Sequence, residues 1–426
     1  MKTKTKNQCT LILFCILIGA FAGVVVYVFL KLVSGGTDFL WEWLPARFDV
    51  PWYPLLICGV GGLIIGLFRK KFGDYPEELD VVMGKVKKNK TYEYREMLIL
   101  IIGAALPLMI GSSVGPEAGL AGIMVAVCCW AGENLRFAKQ NSQEYSEIGM
   151  AVSLSVLFGS PLFGVFAVKE GGREGELLEM TKSSKILLYG VALAAGTGAY
   201  MGLSHVFGAG MSGFPSFEAA APRGLDFVMI AVYVAAGWVL SKFYQMTHHG
   251  CHVVAGKIPA IARETVAGVL LGVVACLVPA VLFSGEHQMG VLIGDYLGYL
   301  PIALIGFAFL KIIITNICIQ CGLKGGHFFP LIFAGVTMGY GLAMLVFPDG
   351  GAHVVFAAAI VTASLLGNMM KKPLAVTMLL FICFPVKMFI WIFLAAVVGS
   401  KLVKNKHIQR TIKNEKIVQE TVEKQS

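Results

Sequence analysis

Two glycine-proline helix starts constrain this chain more than any other feature. The first reads Gly111-Ser112-Ser113-Val114-Gly115-Pro116 and runs into GLAGIMVAV after one intervening pair; the second reads Gly325-Gly326-His327-Phe328-Phe329-Pro330 and runs into LIFAGVTMG. Proline suits the first turn of a helix, and glycine lets the backbone turn tightly into it. The start of a helix carries unpaired N–H groups and the positive end of the dipole, so it attracts anions. In a membrane, broken helices at corresponding places in two halves of a chain point to an ion site near the midplane.

The membrane assignment comes from composition. Apolar residues make up 57% of the chain, mean hydropathy is +0.74 and only 14% of residues are charged, against about 25% in ordinary soluble domains. Apolar stretches recur from end to end, clearly within Cys9–Leu30, Trp52–Phe68, Phe227–Leu240, Val266–Phe283 and Ile302–Ile319. Others are too short or too broken by Gly and Pro to span simply, which predicts an all-α, polytopic membrane protein with tilted and re-entrant helices. Fifty glycines fit close helix packing in lipid. The first apolar stretch lacks a small-residue cleavage site, so it reads as a membrane segment, not a signal peptide.

Basic residues cluster at Lys2–Lys6, Arg69–Arg95 and Lys401–Lys424. The positive-inside rule puts all three regions, and hence both termini, in the cytoplasm of a multi-pass protein of the cell membrane. The net charge of +9 then reflects topology; no aromatic-basic motif points to nucleic acid. Ten cysteines lie mostly inside apolar runs and read as small hydrophobes. Cys318-x-x-Cys321 has no second pair. His248-His249-Gly250-Cys251-His252 is dense in ligand types, and reads as a polar connection near the membrane surface; a metalloenzyme built on it would lack both an HExxH helix and a GxSxG elbow.

The chain also has internal symmetry. A second proline motif, Gly159-Ser160-Pro161, follows Pro116 after 45 residues, and Lys371-Lys372-Pro373 follows Pro330 after 43. Each is preceded by a small, apolar segment. The expected organisation is a cytoplasmic N-terminus at 1–10, a first membrane repeat at 11–210, a connector rich in Gly and Pro at 211–225, a second repeat at 226–400 and a cytoplasmic basic tail at 401–426.

These residues resemble the CLC family of chloride channels and transporters. GSSVGPEAGLAG is similar to the family's G-[KR]-E-G-P helix start, GGHFFPLIFAGVTMG to its G-x-F-x-P motif, and SVLFGSPLFGVFAVKE to the segment that ends in a glutamate. The resemblance covers roughly Leu11 to Lys401. It implies a CLC-like inverted repeat and a homodimer in which each subunit has its own anion pathway. The implied anion-binding positions are Gly73, Ser113, Val114, Gly115, Gly326, His327 and Phe328, working through backbone N–H groups. Gly73 stands where the family's anion-binding serine would be. Val114 stands at the gate position, where the family carries a glutamate that competes with the anion and moves protons. Glu170 matches the inner proton-relay glutamate. Glu117, one residue inside the first start, would repel an anion if aimed at the site, so it is expected to point away; the alternative makes it a displaced gate.

The resemblance and Val114 together give the expected function: an anion channel, not an enzyme, that conducts chloride or another small anion without proton coupling and needs no cofactor. The alternative is a proton-coupled chloride/H+ antiporter using Glu170 and Glu117. The bilayer is its surrounding and the anion its transported ligand.

Overall fold

The structure is a computed structural model of the 426-residue chain. It describes residues 2–47, 50–73, 75–76, 97–134, 142–160, 162–169, 182–208, 214–217, 222, 224–381 and 383–402. Among these the chain forms fifteen α-helices and no strand. The first seven are α1 (Lys2–Asp38), α2 (Tyr53–Phe72), α3 (Met97–Met109), α4 (Glu117–Asn134), α5 (Ser142–Leu157), α6 (Phe163–Lys169) and α7 (Lys182–Phe207). The remaining eight are α8 (Leu225–Ala255), α9 (Ala262–Leu277), α10 (Glu286–Asp295), α11 (Pro301–Gln320), α12 (Phe328–Val346), α13 (Ala352–Met370), α14 (Pro373–Leu380) and α15 (Phe389–Lys401).

Six of them, α1, α7, α8, α11, α12 and α13, include a stretch long and apolar enough to cross a bilayer. Helix α1 explains how such a helix is used. Leu13, Leu17, Phe21, Val24 and Val28 recur at helical spacing and are exposed, while Phe14, Ile18, Ala22, Val26, Phe29 and Val33 are buried on the opposite side. A helix apolar on both sides has one face for protein and one for lipid. Its contact with α7 is backbone-close: a Cβ at Gly19 or Gly23 would overlap the main chain at Ala192 or Gly196, the small-residue packing that membrane helices favour. The helix begins at Lys2, so residues 2–10 of the segment expected to precede the membrane repeat are continuous with it; no proline or glycine occurs before Gly19 to end it.

The two halves repeat one another. Helix α1 packs on α3, α5 and α7, and α8 packs on α11, α13 and α15; α3–α4, α2–α3, α5–α6 and α5–α7 recur as α11–α12, α9–α11, α13–α14 and α13–α15. No counterpart of α10 is among the described residues. Two contacts between halves join an element to its own counterpart: α2 with α9 and α6 with α14. That is the pattern of a pseudo-two-fold axis. Ser160 Oγ donates to the Met378 carbonyl at 2.6 Å, and Lys372 Nζ donates to the Ala167 carbonyl, so the two later proline motifs interlock as well. Helices α12 and α13 sit at the centre, each 83% buried over its most apolar stretch.

Candidate functional site

The two helix starts meet at the centre of the molecule. Gly115 N–H donates to the Gly326 carbonyl at 2.8 Å, and Gly326 N–H returns the bond to Gly115 at 2.7 Å, an isolated antiparallel bridge. The N-termini of α4 and α12 are thereby held together. Glycine is needed at both positions for space, since a Cβ on either would overlap the carboxyl group of Glu117.

Glu117 is the first residue of α4 and is 1% exposed. Its side chain crosses to the other start, where Oε1 accepts the Phe328 N–H at 2.7 Å. The N–H groups of Phe329 and of Glu117 itself lie around the same carboxyl. Its Oε2 is buried and takes no hydrogen bond from the described residues. The N-terminus of α12 therefore already meets an acidic group, the carboxyl of the chain's own Glu117. This corrects the expectation that Glu117 points away from the starts. Adjacency to Pro116 suggested only a favourable place for an acid on its own helix; the partner helix, more than two hundred residues on, supplies the donor.

The first start is arranged differently. Val114 is fully buried, its N–H donates to the Ser112 carbonyl at 2.8 Å, and its side chain packs where a Cβ on Gly325 would lie. Val114, Gly115 and Gly326, expected as anion donors, here give their N–H groups to backbone carbonyls of the protein. Ser113 Oγ lies 3.1 Å from Thr315 Oγ1 of α11. Ser112 is fully buried and its Oγ has no hydrogen-bond partner among the described residues.

Aromatic rings surround the second start. Phe329 is stacked between Phe158 and Phe214, with 4.6 Å between ring centroids on each side. Phe158 comes just before the Gly159-Ser160-Pro161 motif, so the first repeat builds part of the second start's wall. The His327 ring lies 4.6 Å from that of Phe328 and 5.6 Å from that of Tyr244, which in turn stacks on His248 at 5.6 Å. His248 lies within the last turns of α8, not in a polar connection. The apolar pair Val253-Val254 continues the helix past the histidines, and Gly250 is tolerated inside it. His248 Nδ1 is 3.2 Å from Asn316 Oδ1, and Gln320 Nε2 is 2.9 Å from His248 Nε2; among the described residues no three His, Cys, Asp or Glu side chains are grouped to hold a metal.

Of the remaining positions, Gly73 caps α2 with φ +100° and is exposed; a side chain there would meet only the Tyr75 ring, so it is not brought to the starts. Glu170 lies outside the described residues. Four buried ionisable residues were not anticipated: Asp226 and Glu264, which pair with His353 and Arg69, and Glu286 and Lys311. Glu286, the first residue of α10, is 7% exposed. Lys311, in the middle of α11, is 1% exposed. The signal for Lys311 was a single charge in an apolar helix, which marks functional candidates in membranes.

A family model for the voltage gated chloride channel matches residues 61–404. A YfeO protein of Salmonella paratyphi A (strain ATCC 9150 / SARB42), named for ion transport, is 24% identical over 380 residues, covering 85% of each chain. YfeO of Escherichia coli O17:K52:H18 (strain UMN026 / ExPEC), named likewise, is 23% identical over 357 residues, 79% of each chain. Among solved structures, a slow cyanobacterial Cl-/H+ antiporter superposes with TM-score 0.77 at 17% identity, covering 95% of this chain and 98% of that one. A CLC-type fluoride/proton antiporter superposes with TM-score 0.72 at 18% identity, covering 93% and 96%.

Proposed function

For a chain that belongs to the voltage gated chloride channel family, we propose anion transport through the paired helix starts, with the Glu117 carboxylate contesting the site. The observation that carries this is the hydrogen bond from Phe328 N–H to Glu117 Oε1. An ionised carboxylate and a small inorganic anion are alternative ligands for the same donors. Charge-assisted hydrogen bonds of this kind contribute about 1.5–3 kcal/mol each, enough for an occupied start to exclude the anion. Protonation removes the charge, weakens the carboxyl as an acceptor and frees the N–H groups. Anion entry is then linked to proton uptake at Glu117, a reading supported by two solved structures of the same fold that are named as a Cl-/H+ and a fluoride/proton antiporter. Val114 cannot do this, having no ionisable group. Its apolar side chain at the family's gate position supports the second reading, passive conduction with Glu117 as a fixed wall. Both readings expect a homodimer in the cell membrane, one pathway per subunit, with both termini cytoplasmic.

The test is chloride and fluoride flux from proteoliposomes with pH recorded simultaneously. Wild-type flux should rise as pH falls, and an anion gradient should move protons. Glu117→Gln should conduct at a rate independent of pH and move none. A wild type whose flux is flat with pH, matched by Glu117→Gln, would remove the gate and leave the channel.

A further inference from the structure

Lys311 is the one charged residue of α11, in the apolar run PIALIGFAFLKIIITNICIQ. Its Nζ donates to three consecutive carbonyls, Val281 at 3.0 Å, Leu282 at 3.3 Å and Phe283 at 2.7 Å, with the Phe333 ring centroid 5.6 Å away. Three acceptors use three N–H donors, which a protonated amine has and a neutral one lacks. Convergent backbone carbonyls of this kind are what proteins offer a small cation. Here the cation is tethered.

The carbonyl turn is tied to the first helix start. Phe283 has φ +58°, a left-handed conformation that a bulky residue seldom adopts. Its N–H donates to the Gly111 carbonyl at 2.9 Å, and its ring meets Trp41, whose Nε1 donates to the Met109 carbonyl at 3.0 Å. Thr315, four residues along α11 and so about 6 Å up the same face, reaches Ser113 directly. One turn of α11 therefore holds the segment 109–113 at both ends. The turn also leads, through Ser284 and Gly285, into the buried Glu286.

We propose that Lys311 is a positioning residue that acts as a built-in cation. Its ammonium fills the 281–283 cage, holds that turn against the first start, and supplies the fixed positive charge that favours anions in a region containing the buried carboxyl groups of Glu117 and Glu286. The charge role rests on the anion-transport reading; the cage does not. At a separation on the order of 10 Å and an effective dielectric constant of about 20, one unit charge changes anion occupancy by about tenfold. With its three donors already engaged, Lys311 raises that occupancy from a distance and does not trap the ion.

Two measurements on the full-length protein test this. Lys311→Met, similar in length and uncharged, should lower chloride flux from liposomes by about tenfold. Lys311→Ala leaves the cage open: methylammonium chloride should raise its melting temperature in detergent by at least about 2 °C over the same concentration of tetramethylammonium chloride, and should recover part of the flux. Wild type should respond to neither salt differently. Wild-type flux in Lys311→Met would overturn the charge role. An equal response of Lys311→Ala to the two salts would overturn the cage. If Lys311→Ala does not fold, the comparison passes to expression of folded protein: Lys311→Arg above Lys311→Met supports the cage, and the reverse order sinks it. A wild type that moves no anion would fail the transport reading while the melting comparison still decides the cage.

Discussion

The two helix starts look like equivalents in the sequence and differ in what they do with their donors. The second, at His327–Phe329, presents the Phe328 N–H to the Glu117 carboxyl and is walled by Phe158, Phe214 and Tyr244. The first, at Ser112–Gly115, turns the N–H groups of Val114 and Gly115 into the protein, and contributes the carboxylate instead. One start is the receptor and the other carries the competing ligand. A duplicated fold places two dipole ends at one point, and two ends of like sign facing each other favour an anion between them. Glu117 meets that demand from inside the chain. The difference between the starts is thus a division of labour around one negative charge.

The sharpest way to break this comparison is at its hinge. Gly326→Ala puts a methyl group where the Glu117 carboxyl lies, so the carboxyl must leave or the bridge to Gly115 must open. Loss of the bridge's two hydrogen bonds and overpacking of a closed centre should together cost about 2–5 kcal/mol. Transport should be abolished, with a lower melting temperature in detergent; a variant that melts and transports like wild type would mean the starts are not held as described.

Phe328→Pro is milder and more specific. Proline is tolerated at the first position of a helix, so α12 should survive while the donor to Glu117 is lost. One charge-assisted hydrogen bond is worth about 1.5–3 kcal/mol, which predicts a fall in chloride affinity of roughly ten- to a hundredfold, measured by calorimetry. Unchanged affinity would assign the anion to other donors. Ser113→Ala should matter least. It removes the contact with Thr315 at the first start, worth about 0.5–1.5 kcal/mol, and flux should keep its pH dependence while stability falls slightly. A loss of pH dependence in Ser113→Ala would make the first start a working part of the gate and erase the asymmetry.

Much of the fold was legible in the residues. Pro116, Pro330 and Pro373 announce helix beginnings because proline restricts its own φ, and the paired motif spacings exposed the duplication because both copies obey the same packing. The apolar runs named the membrane because lipid leaves the backbone no other choice than helix. Where reading failed, the deciding contact joined distant residues. His248 looked like part of a polar loop, but it lies inside α8 and meets Asn316 and Gln320 of α11, which are far off in sequence. Gly73 matched a motif position, yet the end of α2 lies exposed and away from the starts.

Sequence by itself determined that this chain is an all-helical membrane protein, built twice, with two buried helix starts suited to negative charge. These are properties of local geometry, hydropathy and repetition, which need no partner to be defined. Tertiary structure alone decided which acid meets which start and where the balancing cation sits. Glu117 and Phe328 are 211 residues apart, and Lys311 finds its three acceptors on a turn preceding its own helix by a whole intervening element. A helix start advertises free donors; only the fold brings a particular oxygen within 3 Å of them, because electrostatic and hydrogen-bond energies are decided by distance and burial and not by order along the chain.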